Sequence, residues 1–262
     1  MIKSLDVIAE IKANESPIEI YKNVFNKEEV QFLLEQKVKV EELYGSANRS
    51  DNVKKKNRIQ VLKHDRHSKS DELTVEKFES MLKERIPNCS VFEKNAVFES
   101  MNFYNIQNAY HIHSDTGKTN RKSFKQFIVP LEIVPVDPSK EAHAHTVIFN
   151  ERVYFSSEYV NTTVGVKDPD YLPFFNVPTY DPRYYEGWKD EYRISREDAH
   201  LLWNNKADFF NQFYKGFSIN TLYQWEPGDV VFFDRSLLHA AAELDVNNVF
   251  EKSGLLGLSY VD

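Results

Sequence analysis

The sequence predicts a mostly β protein, a sandwich or barrel of short strands with flanking helices. Three observations carry that expectation. From about Val91 onward the chain runs through β-branched and aromatic stretches: "AVFESMNFYNI", "SFKQFIVPLEI", "HTVIFN", "FSINTLYQW", "DVVFFD" and "LLGLSYV". Such runs read as strands. Turn chemistry falls between them, most clearly at Glu226-Pro227-Gly228-Asp229, which suits a tight reversal. Helical periodicity is confined to the N-terminal third and one later segment. Many short strands joined by turns build sandwiches and barrels.

The elements follow in order. "PIEIYKNVFNKEEVQFLLEQ" begins with an alternating segment around Ile18 and Ile20. A helix comes next. Asn26 is its N-cap, Glu29 completes a capping box, and Val30, Leu33, Leu34 and Val38 recur at helical spacing. A polar stretch from Ser46 to Lys69 carries the basic cluster Lys54, Lys55, Lys56 and Arg58. It is expected to be a solvated loop rather than a nucleic-acid contact. A second helix is predicted from Asp71 to Ile86, with Phe78, Met81, Leu82 and Ile86 on one face and Pro87 ending it. Residues 18–90 are thus helical support and 91–262 the strand-rich core, within one domain spanning 1–262.

Glu151 to Gly216 departs from the strand pattern. It is crowded with aromatics and broken by Pro169, Pro173, Pro178 and Pro182. Its second half reads as a helix, with Ser195 as N-cap, Asp198 three residues on, and Leu202, Phe209, Phe210 and Phe213 as an apolar face. The expectation for 151–216 is an insertion packed over the β core, some of whose aromatics line a substrate pocket.

Composition narrows the setting. The chain has 262 residues and is 41% apolar, enough for a substantial core. No window approaches about 18 consecutive apolar residues, so no membrane span is expected. The charged N-terminus lacks the apolar run of a secretory signal. Cys89 is the single cysteine, which fits a reducing, cytoplasmic compartment. A net charge of −7 disfavours nucleic acid as a partner.

The chemistry concentrates in Tyr110-His111-Ile112-His113-Ser114-Asp115. On a strand, His113 and Asp115 project from the same face. A third ligand has to come from elsewhere, and His239 stands just after the apolar strand "DVVFFD". Two imidazoles and a carboxylate on one face of an ion leave three positions open. That is the triad used for non-haem Fe(II), although Mn(II), Co(II) and Zn(II) accept the same donors. Lys252 begins the last strand. If buried it needs an anionic partner such as a co-substrate carboxylate; otherwise it caps a loop into solvent. His111 shares parity with His113 and is expected beside the metal or against substrate. His143 and His145 are placed at an exposed turn or pocket rim. His64, His67 and His200 are placed on the surface without evident partners.

These residues resemble the 2-oxoglutarate/Fe(II)-dependent oxygenase superfamily, in particular its prolyl-hydroxylase-like branch. "FYNIQNAYHIHSD" is similar to the family's tyrosine-then-H-x-D pair, "HAHTVIF" to its threonine strand, and "WEPGDVVFFDRSLLHAAAE" to the segment carrying the distal histidine. Lys252 stands where the family places the cation that binds the far carboxylate of 2-oxoglutarate. Gln107-Asn108 and His143-Ala144-His145 replace the family's usual glycines. The resemblance covers Ile18 to Leu34 and Val97 to Asp262. It implies a double-stranded β-helix, a jelly-roll or cupin-like core with Fe(II) at its mouth. His113, Asp115 and His239 would be the catalytic metal ligands. Lys252, Tyr104, Tyr110 and Thr146 would contact 2-oxoglutarate, and O2 would be the second co-substrate. The implied reaction hydroxylates an unactivated C–H bond of a small molecule, amino acid or peptidyl residue, releasing succinate and CO2. Asp115 argues for hydroxylation over halogenation, because halogenating relatives have a small residue there. The alternative is a cupin-like barrel that binds metal or sugar without oxidation.

Overall fold

The computed structural model describes residues 5–45, 47–48, 58–69, 71–107, 112–116, 122–154, 186–187, 189–203, 216–244 and 247–262. Helix α1 (Leu5–Ala13) is followed by strand β1 (Glu19–Tyr21) and helix α2 (Lys27–Tyr44). Two short strands come next, β2 (Ala47–Asn48) and β3 (Arg58–Val61), then helices α3 (Val75–Arg85) and α4 (Ser90–Glu93). Strands β4 (Val97–Ile106), β5 (Lys122–Pro135) and β6 (His145–Arg152) precede helix α5 (Arg196–Trp203). The chain closes with β7 (Ile219–Gln224), β8 (Val230–Asp234), β9 (Leu237–Ala241) and β10 (Val249–Val261).

The strands form two antiparallel sheets. The larger has seven strands in the order β1-β8-β5-β10-β4-β3-β2, and the smaller has three in the order β7-β6-β9. Strand β10 is the spine of the larger sheet, running beside β4 on one side and β5 on the other. One face of this sheet packs on α2 and α3 through an aromatic stack: Phe25 on Phe78 at 5.8 Å and Phe78 on Phe127 at 5.7 Å. Its other face meets the small sheet across Tyr104, Ile128, Ile148, Trp225, Val231 and Phe233. The outer face of the small sheet is covered by α5, whose Ala199 and Leu202 pack with Val147 and Phe149.

Strand alternation explains this layering. In β8 every residue is buried, because Val230 and Phe232 face the helices while Val231 and Phe233 face the small sheet. The reversal before β8 depends on Gly228. Its φ of +93° is one that side-chain-bearing residues rarely adopt, and a Cβ there would fall 2.2 Å from the Phe25 carbonyl oxygen. Phe25 N–H donates to Gly228 O at 2.9 Å, so this turn also pins the start of α2.

The helix signals are present with some shifts. Asn26 and Glu29 form the reciprocal capping box. The buried face of α2 is Val30, Leu33, Lys37 and Val40, and Val38 is exposed. Lys37 takes the slot that periodicity assigned to an apolar residue, and its amine donates to Ser253 Oγ at 3.0 Å. In α3 Phe78 and Leu82 are buried and Thr74 is the N-cap. Ser195 caps α5 through Asp198 N–H at 3.0 Å, while Phe209, Phe210 and Phe213 lie outside the described residues.

Three expectations change. Residues 18–90 do more than support the core, because β1, β2 and β3 are strands of the larger sheet. Helix α1 arises from the charged N-terminal stretch. It lies against the start of β5, where Glu10 meets Lys122 at 2.6 Å. His64 is paired, Nδ1 to Glu76 Oε1 at 2.7 Å, whereas His67 and His200 are exposed. Among the described residues no helix is long and apolar enough to cross a membrane.

Candidate metal centre

His239 lies on β9 and is joined to His113 by a two-way backbone pair: His113 N–H donates to His239 O at 3.0 Å and His239 N–H to His113 O at 2.8 Å. The segment 112–116 thereby runs beside β9. Two residues on, Asp115 turns its carboxylate to the same spot, with Oδ1 3.9 Å from His113 Nε2 and Oδ2 3.4 Å from His239 Nε2. The two imidazole centroids are 4.1 Å apart. One donor atom from each of the three residues lies within 4.8 Å of the others. Nitrogen and oxygen ligands around one ion at about 2.0–2.2 Å sit roughly 3 Å apart, so a small closing movement brings all three onto one metal.

The protonation states suit ligation. Burial raises the cost of the Asp115 charge, but His113, His239 and Arg235 outweigh it and hold this carboxyl well below the usual carboxylate range. His239 Nδ1 lies 3.2 Å from the Leu237 carbonyl. An Nδ1–H donated there leaves the Nε2 lone pair for the metal. Gln126, fully buried on β5, sets its amide nitrogen 3.3 Å from His239 Nδ1 and 3.4 Å from Nε2. Its oxygen has no partner among the described residues.

A cavity of about 150 Å³ opens from this cluster between the two sheets, walled by Tyr104, Ile128, Thr146, Trp225, Lys252 and Leu256. Register places Lys252 beside Ile106, Gly254 beside Tyr104 and Leu256 beside Asn102. Gly254 makes the room Tyr104 needs. A Cβ there would sit 2.9 Å from the Tyr104 hydroxyl and 3.0 Å from Val129 O. The Tyr104 hydroxyl has no hydrogen-bond partner among the described residues, and burial pushes its pKa up.

Lys252 is 1% exposed. Its Nζ donates to His145 O at 3.2 Å and stands 4.1 Å over the Trp225 ring. No carboxylate pairs with it among the described residues, and burial pulls its pKa down to about 7. Trp225 Nε1 donates to Thr146 Oγ1 at 2.8 Å, which leaves the threonine O–H free to donate into the cavity.

The remaining expectations divide. His143 is half-buried and meets Glu141 at 3.3 Å. His145 is no pocket rim. It is buried, it stays outside the cavity wall, and burial together with Lys252 pulls its pKa down to about 4. Tyr110, His111 and residues 155–185 lie outside the described residues. Gln126, Trp225 and Gly254 were not read from sequence as site residues. The signal available for Gln126 was an amide placed immediately before the apolar run "FIVPL".

Three solved structures share this architecture. The non-haem α-ketoglutarate-dependent carbocyclase SnoK from nogalamycin biosynthesis aligns over 98% of this chain and 84% of its own, with TM-score 0.50 and 10% identity. The α-ketoglutarate-dependent epimerase SnoN from the same biosynthesis aligns over 98% and 83%, with TM-score 0.51 and 9% identity. A SnoN complex with Fe3+, α-ketoglutarate and nogalamycin RO gives 0.50 and 10%. This chain has the 2-oxoglutarate/Fe(II)-dependent oxygenase fold. In that fold the two sheets are the halves of a double-stranded β-helix. No protein-family profile matches the oxygenase-fold chain, and no curated protein matches it in sequence.

Proposed function

We propose that the protein is a non-haem Fe(II)- and 2-oxoglutarate-dependent dioxygenase that hydroxylates an unactivated C–H bond of a small molecule, amino acid or peptidyl residue. The observation that carries this reading is Lys252. A fully buried ammonium without a carboxylate partner among the described residues faces the same cavity as two histidines and an aspartate. Such a charge is costly unless a bound anion completes it. The donor set fits Fe(II), and three positions stay open for a chelating keto acid and dioxygen. The cavity is smaller than the roughly 300–1,000 Å³ of a drug-sized site and suits a small acid.

Bound iron and 2-oxoglutarate would supply oxygen activation, with the keto acid oxidised to succinate and CO2 and one oxygen atom delivered to the substrate. The chain's own work is to bind, orient and exclude water. His113, Asp115 and His239 would hold the metal. Lys252 would pair with the far carboxylate, with the Tyr104 and Thr146 hydroxyls donating to the acid. Trp225, Ile128 and Leu256 wall the site against water. Tyr110 is proposed to join these contacts. The lone, buried Cys89 supports a cytoplasmic setting, and the acidic charge supports a substrate other than nucleic acid.

The test is anaerobic reconstitution with Fe(II) and 2-oxoglutarate, followed in the visible for the weak metal-to-keto-acid charge-transfer band. Air is then admitted and succinate is measured. The band and succinate formation are expected. Metal uptake without 2-oxoglutarate binding would leave the non-oxidative barrel as the reading.

A further inference from the structure

The metal-binding aspartate sits on a short stretch of chain, and its position depends on what grips that stretch. Asp115 N–H donates to Arg235 O at 2.9 Å, and Arg235 Nε donates back to Asp115 O at 2.6 Å. One residue therefore holds both polar groups of the other's backbone. The same guanidinium uses Nη1 to reach Glu99 Oε2 on β4 and Ser259 O on β10, each at 2.9 Å. The Arg235 N–H donates to Phe124 O on β5 at 2.8 Å. Arg235 is 3% exposed and lies in the turn between β8 and β9, four residues before His239.

Building on the metal-site reading above, we propose that Arg235 is a positioning residue that fixes the Asp115 carboxylate at the metal. A core ion pair with Glu99 would not need the Nε bond to Asp115 O. The fork of guanidinium donors is rigid and planar, so two of its nitrogens serve Asp115 on one side and Glu99 with Ser259 on the other. A lysine amine is a single point and cannot span both. The β8–β9 segment, which passes from the larger sheet to the smaller, thus contributes one ligand directly, His239, and orients a second through Arg235. Arg235 itself does not touch the metal, the co-substrate or the reacting atoms.

The test measures Co(II) binding by its ligand-field absorption at low temperature, alongside thermal unfolding without metal. Partners that orient a ligand typically weaken metal affinity about 10- to 100-fold when removed. R235M is expected to show that loss with an altered Co(II) spectrum, and R235K is expected to recover little of it. A folded R235M that is less heat-stable yet binds Co(II) with native affinity and spectrum overturns the proposal, because Arg235 would then be a packing residue only. If neither variant folds, E99A decides. Removing this partly exposed anchor should weaken Co(II) roughly two- to fivefold, and unchanged affinity overturns the proposal. Wild-type protein that binds no Co(II) removes the metal reading itself, a failure distinct from the others.

Discussion

Lys252→Met isolates the buried charge. Methionine keeps most of the side-chain length and apolar contact, so the change removes the ammonium with little loss of packing. Lys252 has a pKa near 7 in the folded chain against an ordinary 10.5. The neighbours that face its amine are the Trp225 ring, the His145 carbonyl and a His145 imidazole that is neutral above about pH 4. At about 1.36 kcal/mol per pKa unit the gap is on the order of 5 kcal/mol. The sign follows from proton counting. Between pH 7 and 10.5 the unfolded lysine holds a proton that the folded one has released, so wild-type stability without ligand rises with pH across that window. Below pH 7 both states are protonated and the penalty is present in full. K252M should therefore unfold at higher temperature than wild type at pH 7, by roughly 10–20 °C on the scale of about 2–4 °C per kcal/mol for a chain of this size. The advantage should fade toward pH 10. In the same variant 2-oxoglutarate should bind roughly 2–5 kcal/mol more weakly, thirtyfold or more, because its far carboxylate loses its partner. Calorimetry across pH reads the first effect, and titration of the Fe(II)-loaded protein reads the second. A K252M protein that is less stable at pH 7, or one with native 2-oxoglutarate affinity, refutes the assignment of Lys252 as an unpaired cation awaiting an anion.

Other changes probe other parts of the site. His239→Ala should abolish Fe(II) binding and succinate formation while leaving the far-ultraviolet dichroism unaltered; an iron-replete, active variant would reject the ligand set. Gly254→Ala inserts a methyl 2.9 Å from the Tyr104 hydroxyl and 3.0 Å from a backbone oxygen. It should raise the 2-oxoglutarate KM with a smaller effect on Fe(II) affinity, and an unchanged KM would detach Tyr104 from the co-substrate. Gly228→Ala forces a Cβ into the Phe25 carbonyl at a positive φ. It should cost at least about 1–3 kcal/mol in denaturant titration, whereas a neutral result would mean that this turn relaxes freely.

Legibility in the sequence tracked how local each signal was. The capping box at Asn26 needs three residues and was readable, as was the Glu226–Asp229 reversal. The pairing of His113 with Asp115 followed from strand parity, but bringing His239 to them is a long-range event that spacing alone could not supply. Its place just after the apolar strand "DVVFFD" made His239 the candidate, and the resemblance implied it as the distal ligand. The burial of Lys252 rests on β10 running centrally between β4 and β5, a fact of topology rather than pattern. Val38 misled because periodicity treats neighbouring helical faces as interchangeable, and the chain instead uses Lys37 to reach Ser253. Nothing in the sequence marked Arg235 as a residue of the site. Its contacts come from β4, β5 and β10 at once.

The reciprocal backbone bonds between His113 and His239 carry a consequence for changes of length. Inserting or deleting a single residue between 113 and 115, or between Arg235 and His239, would swing one donor to the opposite side of its ribbon and empty the centre at a stroke. Natural variation in loop size should therefore be tolerated around these two short stretches and forbidden inside them. An ion clasped by partners directly across a ladder rung would also act as a rivet there, slowing amide exchange at His113 and His239 whenever it is bound.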